Sequence, residues 1–204
     1  MKQIFLASAS PRRVELLRTL GLTFEQRIST VAESLFGNPE PALLAESLAL
    51  AKARDVADRE GKGLVIGADT IVVHQGKILG KPLDREDAFR MLQMLNGSQH
   101  EVISGVAVVD ADNGQENSGH EVTIVSFRLL SEEQLKSYVA TGEPMDKAGA
   151  YGIQGIGALL VKGISGCYNN VVGLPLTLLA EILEEIGLNV WSYIGKEGRY
   201  AGET

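Results

Sequence analysis

The chain has 204 residues, 45% of them hydrophobic and 22% charged, with a formal net charge of −7. That length can bury a proper core in one domain or two small lobes, and the acidic balance argues against a surface built to hold duplex nucleic acid. The single cysteine, Cys167, excludes an intrachain disulfide and fits a reduced, cytosolic compartment.

In chain order, Lys2 and the apolar run Ile4–Leu6 before Ala7-Ser8-Ala9 mimic a secretory leader. The run is far too short for that role, and no other segment approaches membrane-spanning length, so a soluble cytoplasmic protein is expected. Ile4–Ala7 reads as a short buried strand. Pro11 then opens a helix with Ser10 as N-cap, Leu16, Leu17 and Leu20 as its apolar stripe, and Gly21 as its stop. A second helix is predicted from about Pro41 to Arg59. Leu64–Val73 is a long apolar strand, and Gln75-Gly76 turns it into a partner at Lys77–Lys81.

Asp84 caps a helix carrying Ala88, Met91, Leu92 and Leu95, which Asn96-Gly97 ends. Val102–Val109 and Glu121–Leu129 read as strands joined through Asp112-Asn113-Gly114. Ser131 and Gln134 form a capping box for a helix with Leu135, Tyr138 and Val139. A glycine-rich passage from Gly149 to Gly157 precedes a predicted strand at Ala158–Lys162, and Pro175 starts a last helix reaching about Ile186. Residues 1–195 then form a single domain and residues 196–204 a polar tail. Strands and helices mix irregularly, which predicts an α/β fold with a mixed sheet.

Three segments carry chemistry. In Ser8-Ala9-Ser10-Pro11-Arg12-Arg13, two arginines occupy the first helical turn, where the macrodipole is already positive and carboxylates would stabilise better. Free N–H groups, the Ser8 and Ser10 hydroxyls and two guanidinium groups make a phosphate site there. In Gly67-Ala68-Asp69-Thr70, a carboxylate interrupts an apolar strand; taken alone, such an aspartate is more often structural than catalytic. With a two-residue loop, however, the hairpin register sets Thr70 opposite Lys81, bringing an ammonium within one residue of Asp69, as a base that activates water beside a phosphate requires.

Lys52, in the apolar run Leu48–Ala53, snorkels by default or adds positive charge to the site. The third segment, Asp146 to Gly155, combines spaced glycines with Gln154, whose amide both donates and accepts to a base edge. There is no Walker A sequence and no Gly-x-Gly-x-x-Gly. His74, His100 and His120 lack ligand spacing, so a triphosphate would bring a hard cation held by carboxylates, with Asp69 and Glu33 as candidates.

Taken together, Ser-Ala-Ser-Pro-Arg-Arg, Leu-Ala-x-x-Lys-Ala at Leu48–Ala53, Gly-Ala-Asp-Thr, Gly-Lys-Pro at Gly80–Pro82, Asp-Lys-Ala-Gly-Ala-Tyr-Gly-Ile-Gln-Gly and Val-Val-Gly-Leu-Pro at Val171–Pro175 resemble the Maf family, in order and over nearly the whole chain. The resemblance implies a nucleoside triphosphate pyrophosphatase with a long mixed sheet flanked by helices and a cleft between two lobes, similar to inosine triphosphate pyrophosphatases. It implies a divalent cation, Mg²⁺ or Mn²⁺, and a homodimer. By resemblance Asp69 is the proton acceptor; Arg12, Thr70 and Gln154 are specificity positions; and Arg13, Glu33, Lys52 and Lys81 are further active-site positions. Arg12, Asp69-Thr70 and Gln154 together look like the subfamily acting on dTTP and UTP, which removes non-canonical nucleotides or is linked to septum arrest in cell division. The alternatives are a 7-methyl-GTP pyrophosphatase and a nucleotide-binding regulator of septum formation without turnover.

Overall fold

The computed structural model describes residues 2–31 and 40–192. Glu33 and the tail at 196–204 therefore lie outside the described residues. Seven strands form one mixed sheet: β1 (Ile4–Leu6), β2 (Glu25–Gln26), β3 (Leu64–His74), β4 (Lys77–Leu79), β5 (Gln99–Asp110), β6 (Glu116–Phe127) and β7 (Val161–Ser165). Their order is β2-β1-β3-β5-β6-β7, with β4 added to the free edge of β3. The β2–β1–β3 pairings are parallel and all the others antiparallel. Six helices flank it: α1 (Pro11–Thr19), α2 (Pro41–Glu60), α3 (Arg85–Leu95), α4 (Glu132–Ala140), α5 (Tyr168–Val172) and α6 (Leu176–Glu185).

Helix starts follow the local chemistry. The Asp84 side chain accepts from Asp87 N–H at the head of α3, and Ser131 and Gln134 close the capping box of α4. Ser10 is the N-cap of α1, but its hydroxyl makes no capping bond to that helix start. Gln75 and Gly76 both have positive φ, which gives a tight turn matching the twist of the β3–β4 hairpin.

Several boundaries differ from the sequence reading, which also lacks two short elements. The β5–β6 hairpin is longer at its turn end, because the polar stretch Glu116–Glu121 pairs in register with Ser104–Val109 despite lacking an apolar alternation. The strand expected at Ala158–Lys162 begins only at Val161. Gly155–Leu160 is instead a 3-10 turn, whose Ile156 and Gly157 N–H groups are bound by the Glu143 carboxylate and cannot enter a ladder. The strand expected at Lys77–Lys81 stops at Leu79. The two-residue β2 and the five-residue α5 are too short for periodicity to register.

Packing divides the sheet along one transverse line. On one face, α1 and α6 cover Leu64, Ile66, Ala68, Val106 and Val108, while α3 and α4 cover Val72 and Val102. Between these two cores lies the register pair Thr70–Ser104, its hydroxyls 2.8 Å apart. On the other face α2 covers everything, and the pair at the dividing line is Asp69–Gly105, flanked by Val65 and Ala107 on one side and Ile71 and Ile103 on the other. Two lobes thus share the long strands β3 and β5, and the polar rows mark their boundary.

Candidate active site

The same line coincides with a break in the sheet. Strand β1 pairs with β3 only as far as Ile66, and β4 begins to pair at Val72. Between them, among the described residues, no strand covers that edge of β3, and a cleft of about 600 Å³ opens there, beyond the carboxyl end of β1. Ser8 to Arg13, Lys52, Asp69, Thr70, Lys81 and Gln154 all line it. That volume lies in the range of sites that enclose a nucleotide-sized ligand.

Asp146 lines this cleft as well, but the buried carboxylate is Asp69. Only 7% of the residue is exposed, and its Oδ1 accepts from Lys52 Nζ at 2.5 Å. Lys52 arrives from α2, which lies directly on the sheet. An added Cβ on Gly67 would fall 2.1 Å from the Ala49 carbonyl oxygen, and one on Gly105 would fall 2.1 Å from that of Ala45. Glycines in the strands and alanines on the helix let the two backbones touch, so Lys52 reaches the sheet at Asp69. The hairpin register expected from sequence is present, with His74 opposite Lys77, but the ladder ends at Val72–Leu79. It does not set Lys81 beside Asp69; the Gly80 carbonyl accepts instead from Gly149 N–H, and Lys81 lines the cleft. The ammonium against Asp69 is that of Lys52, a packing contact that hairpin register cannot reveal.

The opposite wall is the start of α1, with no carboxylate in its first turn. Arg13 is built in: its Nε donates to the Gly173 carbonyl at 2.8 Å, Nη1 to Ser8 Oγ at 3.2 Å and Nη2 to Thr70 Oγ1 at 2.9 Å. Gly173 has φ of +129°, a conformation that side chains rarely adopt, and this turn aims its carbonyl at the guanidinium. Ser8 and Thr70 are thus partners of Arg13, and the buried Ser104 hydroxyl supports Thr70 while donating to the Asn170 carbonyl at 3.1 Å. Arg12 extends outward, its Nη1 3.3 Å from Asp146 Oδ2. Burial pushes the Asp146 carboxyl up, but the hydrogen bond from Lys147 and the charges of Lys147 and Arg12 outweigh it and hold the group below its ordinary value. Gln154 is exposed on the far rim.

Sequence reasoning missed Ser104, Asp146 and Gly173 as parts of this network. Ser104 has a readable signal, a lone hydroxyl in an apolar strand. Gly173 sits inside a recognisable motif, whereas nothing local marks Asp146 as a partner for Arg12. Among the described residues no group of three or more His, Cys, Asp or Glu side chains could hold a metal ion. Asp69, in a cleft also lined by cationic side chains and by the Asp146 carboxylate that pairs with Arg12 and Lys147, fits a hard cation that takes its other ligands from phosphate and water.

A family model described as "Maf-like protein" matches residues 3–186. The chain is 54% identical over 194 residues to a dTTP/UTP pyrophosphatase of Moorella thermoacetica, covering 95% of this chain and 100% of that one. It is 53% identical over 190 residues to the dTTP/UTP pyrophosphatase of Pelotomaculum thermopropionicum, covering 93% and 100%. A nucleoside-triphosphatase / dITP/XTP pyrophosphatase structure from Mycobacterium abscessus aligns at a TM-score of 0.40 and 20% identity, covering 61% of this chain and 74% of that one, too slight a likeness to carry an argument. This chain belongs to the Maf family.

Proposed function

We infer that this chain hydrolyses dTTP and UTP to the nucleoside monophosphate and pyrophosphate. The observation that carries the reading is the Asp69–Lys52 pair sharing one nucleotide-sized cleft with the arginine-bearing start of α1. The names of the half-identical relatives supply the substrate class.

In this reading the triphosphate lies against the first turn of α1, where Arg12, Arg13 and Lys81 offset its charge. Arg13 is already oriented by Ser8, Thr70 and Gly173, so binding costs little side-chain ordering. Asp69 takes the proton of a water that attacks the α-phosphorus. The O–P bond to the β-phosphate breaks, and pyrophosphate leaves with the electron pair. Lys52 keeps the carboxylate aimed and supplies positive charge as the phosphorane-like charge builds. A divalent cation, Mg²⁺ or Mn²⁺, held in part by Asp69, supplies further electrophilic charge on the phosphate oxygens when it arrives with the nucleotide. Gln154, Arg12 and Thr70 select the base.

Pyrophosphate release from dTTP, UTP, CTP and 7-methyl-GTP, each with Mg²⁺ and with Mn²⁺, tests the reading. Turnover of dTTP and UTP at least about tenfold faster than the other two is expected, the scale set by one or two polar contacts to a base. Preference for 7-methyl-GTP would reassign the substrate, and silence on all four would remove the enzymatic function.

A further inference from the structure

The loop that carries Gln154 takes its shape from two side chains that line no part of the cleft. Oε1 of Glu143 accepts from Gly157 N–H at 2.9 Å and from the Tyr138 hydroxyl at 3.0 Å, while Oε2 accepts from Ile156 N–H at 3.0 Å. The Tyr138 oxygen in turn accepts from Gly152 N–H at 3.3 Å. Backbone donors on both sides of Gln154 are therefore tied to one tyrosine–glutamate pair. The loop closes tightly on it: a Cβ on Gly157 would stand 2.2 Å from the Gly152 carbonyl oxygen and 2.7 Å from the Tyr138 oxygen, and one on Gly155 would stand 2.9 Å from Glu143 Oε2. The glycines of this passage are there to wrap a carboxylate.

The same short segment reaches the other specificity position. Lys147 Nζ donates to the Glu143 carbonyl and to Asp146 Oδ1, both at 2.6 Å, and Asp146 accepts from Arg12. Glu143 thus stands between Gln154 and Arg12, two of the three side chains assigned to base selection: its carboxylate holds the Gln154 loop, and its backbone carbonyl holds Lys147, which pairs with the Arg12 partner Asp146. The hydrolytic groups are supplied elsewhere, Asp69 by β3, Lys52 by α2 and Arg13 by α1 with the turn after α5.

We propose that Tyr138 and Glu143 are positioning residues for base selection, which fix Gln154 and Arg12 relative to each other without touching substrate. The proposal rests on the reading that these two side chains meet the base. Glu143→Gln is the test, because a single amide oxygen cannot serve all three donors and its NH₂ must confront at least one N–H or O–H. Steady-state pyrophosphate release is measured with dTTP and CTP. KM for dTTP is expected to rise about tenfold and the dTTP-over-CTP ratio of kcat/KM to fall about tenfold, as for loss of a charged hydrogen bond, with kcat falling less than about threefold. A folded variant with unchanged KM and ratio, or one in which kcat falls equally for both nucleotides at an unchanged ratio, overturns the proposal. Should Glu143→Gln fail to fold, Tyr138→Phe removes the hydroxyl that bridges Glu143 and Gly152 while leaving the Glu143 bonds to Ile156 and Gly157 in place, and it is expected to move KM and the ratio in the same directions by about threefold or more. An inactive wild type would defeat the underlying reading, whereas an active wild type with an insensitive variant defeats only this step.

Discussion

Asp69 is a carboxylate buried beside the cleft, paired with the Lys52 ammonium 2.5 Å away. Asp69→Asn keeps the shape and an oxygen for Lys52 but cannot take a proton. Pyrophosphate release is expected to fall by roughly 10²–10⁴-fold, the usual share of a general base, while calorimetry still finds saturable dTTP binding. Near-normal turnover would take the role of base away from Asp69. Lys52→Met removes the cation instead. Turnover falls and stability drops by about 3 kcal/mol in urea melts, because a buried carboxylate loses its partner. The residue types at this site were legible in the sequence. A carboxylate inside an apolar strand and arginines at the positive end of a helix are both costly for stability, and cost marks function. The pairings were less legible. Arg13 reads as part of a phosphate site with Arg12, Ser8 and Ser10, yet its orientation depends on Gly173, 160 residues away, and on Thr70, which no local pattern could disclose.

Helix α2 shows why the Asp69–Lys52 pair is hidden from sequence reasoning. Its buried face is mostly alanine, Ala42, Ala45, Ala49, Ala53 and Ala57 at helical spacing, with Leu48 and Val56 beside them. Opposite them Gly67 and Gly105 lie in mid-strand, where glycine weakens a sheet unless another backbone must come close. Small residues on both partners were the available signal that this helix rests on the sheet backbone, and that Lys52 points inward. Local devices, by contrast, were readable: the Gln75-Gly76 turn, the Asp84 cap and the Ser131–Gln134 box are settled by residues within four positions of one another. The close approach makes a prediction for the element as a unit. Gly67→Ala would set a methyl 2.1 Å from the Ala49 carbonyl oxygen and 2.9 Å from Ala53 N, so α2 must lift. A loss of about 3 kcal/mol is expected in urea melts, the upper part of the range for overpacking, together with a fall in turnover as Lys52 withdraws from Asp69. Gly76→Ala, at a turn glycine with φ of +74° and open space around it, should cost only about 1 kcal/mol and leave turnover intact. Equal losses in the two variants would show that helix contact is not what Gly67 provides.

At the scale of the whole molecule, the two lobes fold around shared strands, so a strained group in one core is felt by the entire sheet. His100 is such a group. It lies on β5, 3% exposed, with the rings of Phe127 and Tyr151 edge-on at 4.9 Å and 5.2 Å and its Nε2 2.7 Å from the Tyr151 hydroxyl. Its Nδ1 is buried with no hydrogen-bond partner, which leaves the ring nothing to stabilise a second proton. Burial first, and the charge of His74 second, push this imidazole down to about 4. The unfolded chain takes up that proton near pH 6.5, and the folded protein resists it down to about 4. The unfolded state therefore binds more protons throughout that interval, and stability falls as pH falls through it, by about 1.4 kcal/mol per unit, or about 2 kcal/mol at pH 5 relative to pH 7. Below about 4 this loss levels off because both states are protonated. His100→Gln offers Tyr151 a polar partner without a titrating charge. Urea melts between pH 7 and pH 4.5 should give it a stability slope shallower than wild type by one proton. Parallel slopes would mean that the folded protein accepts the proton at His100. Because Tyr151 also lines the cleft, that second outcome would predict a wall that rearranges in mild acid, with KM for dTTP rising over the same interval in the wild type alone.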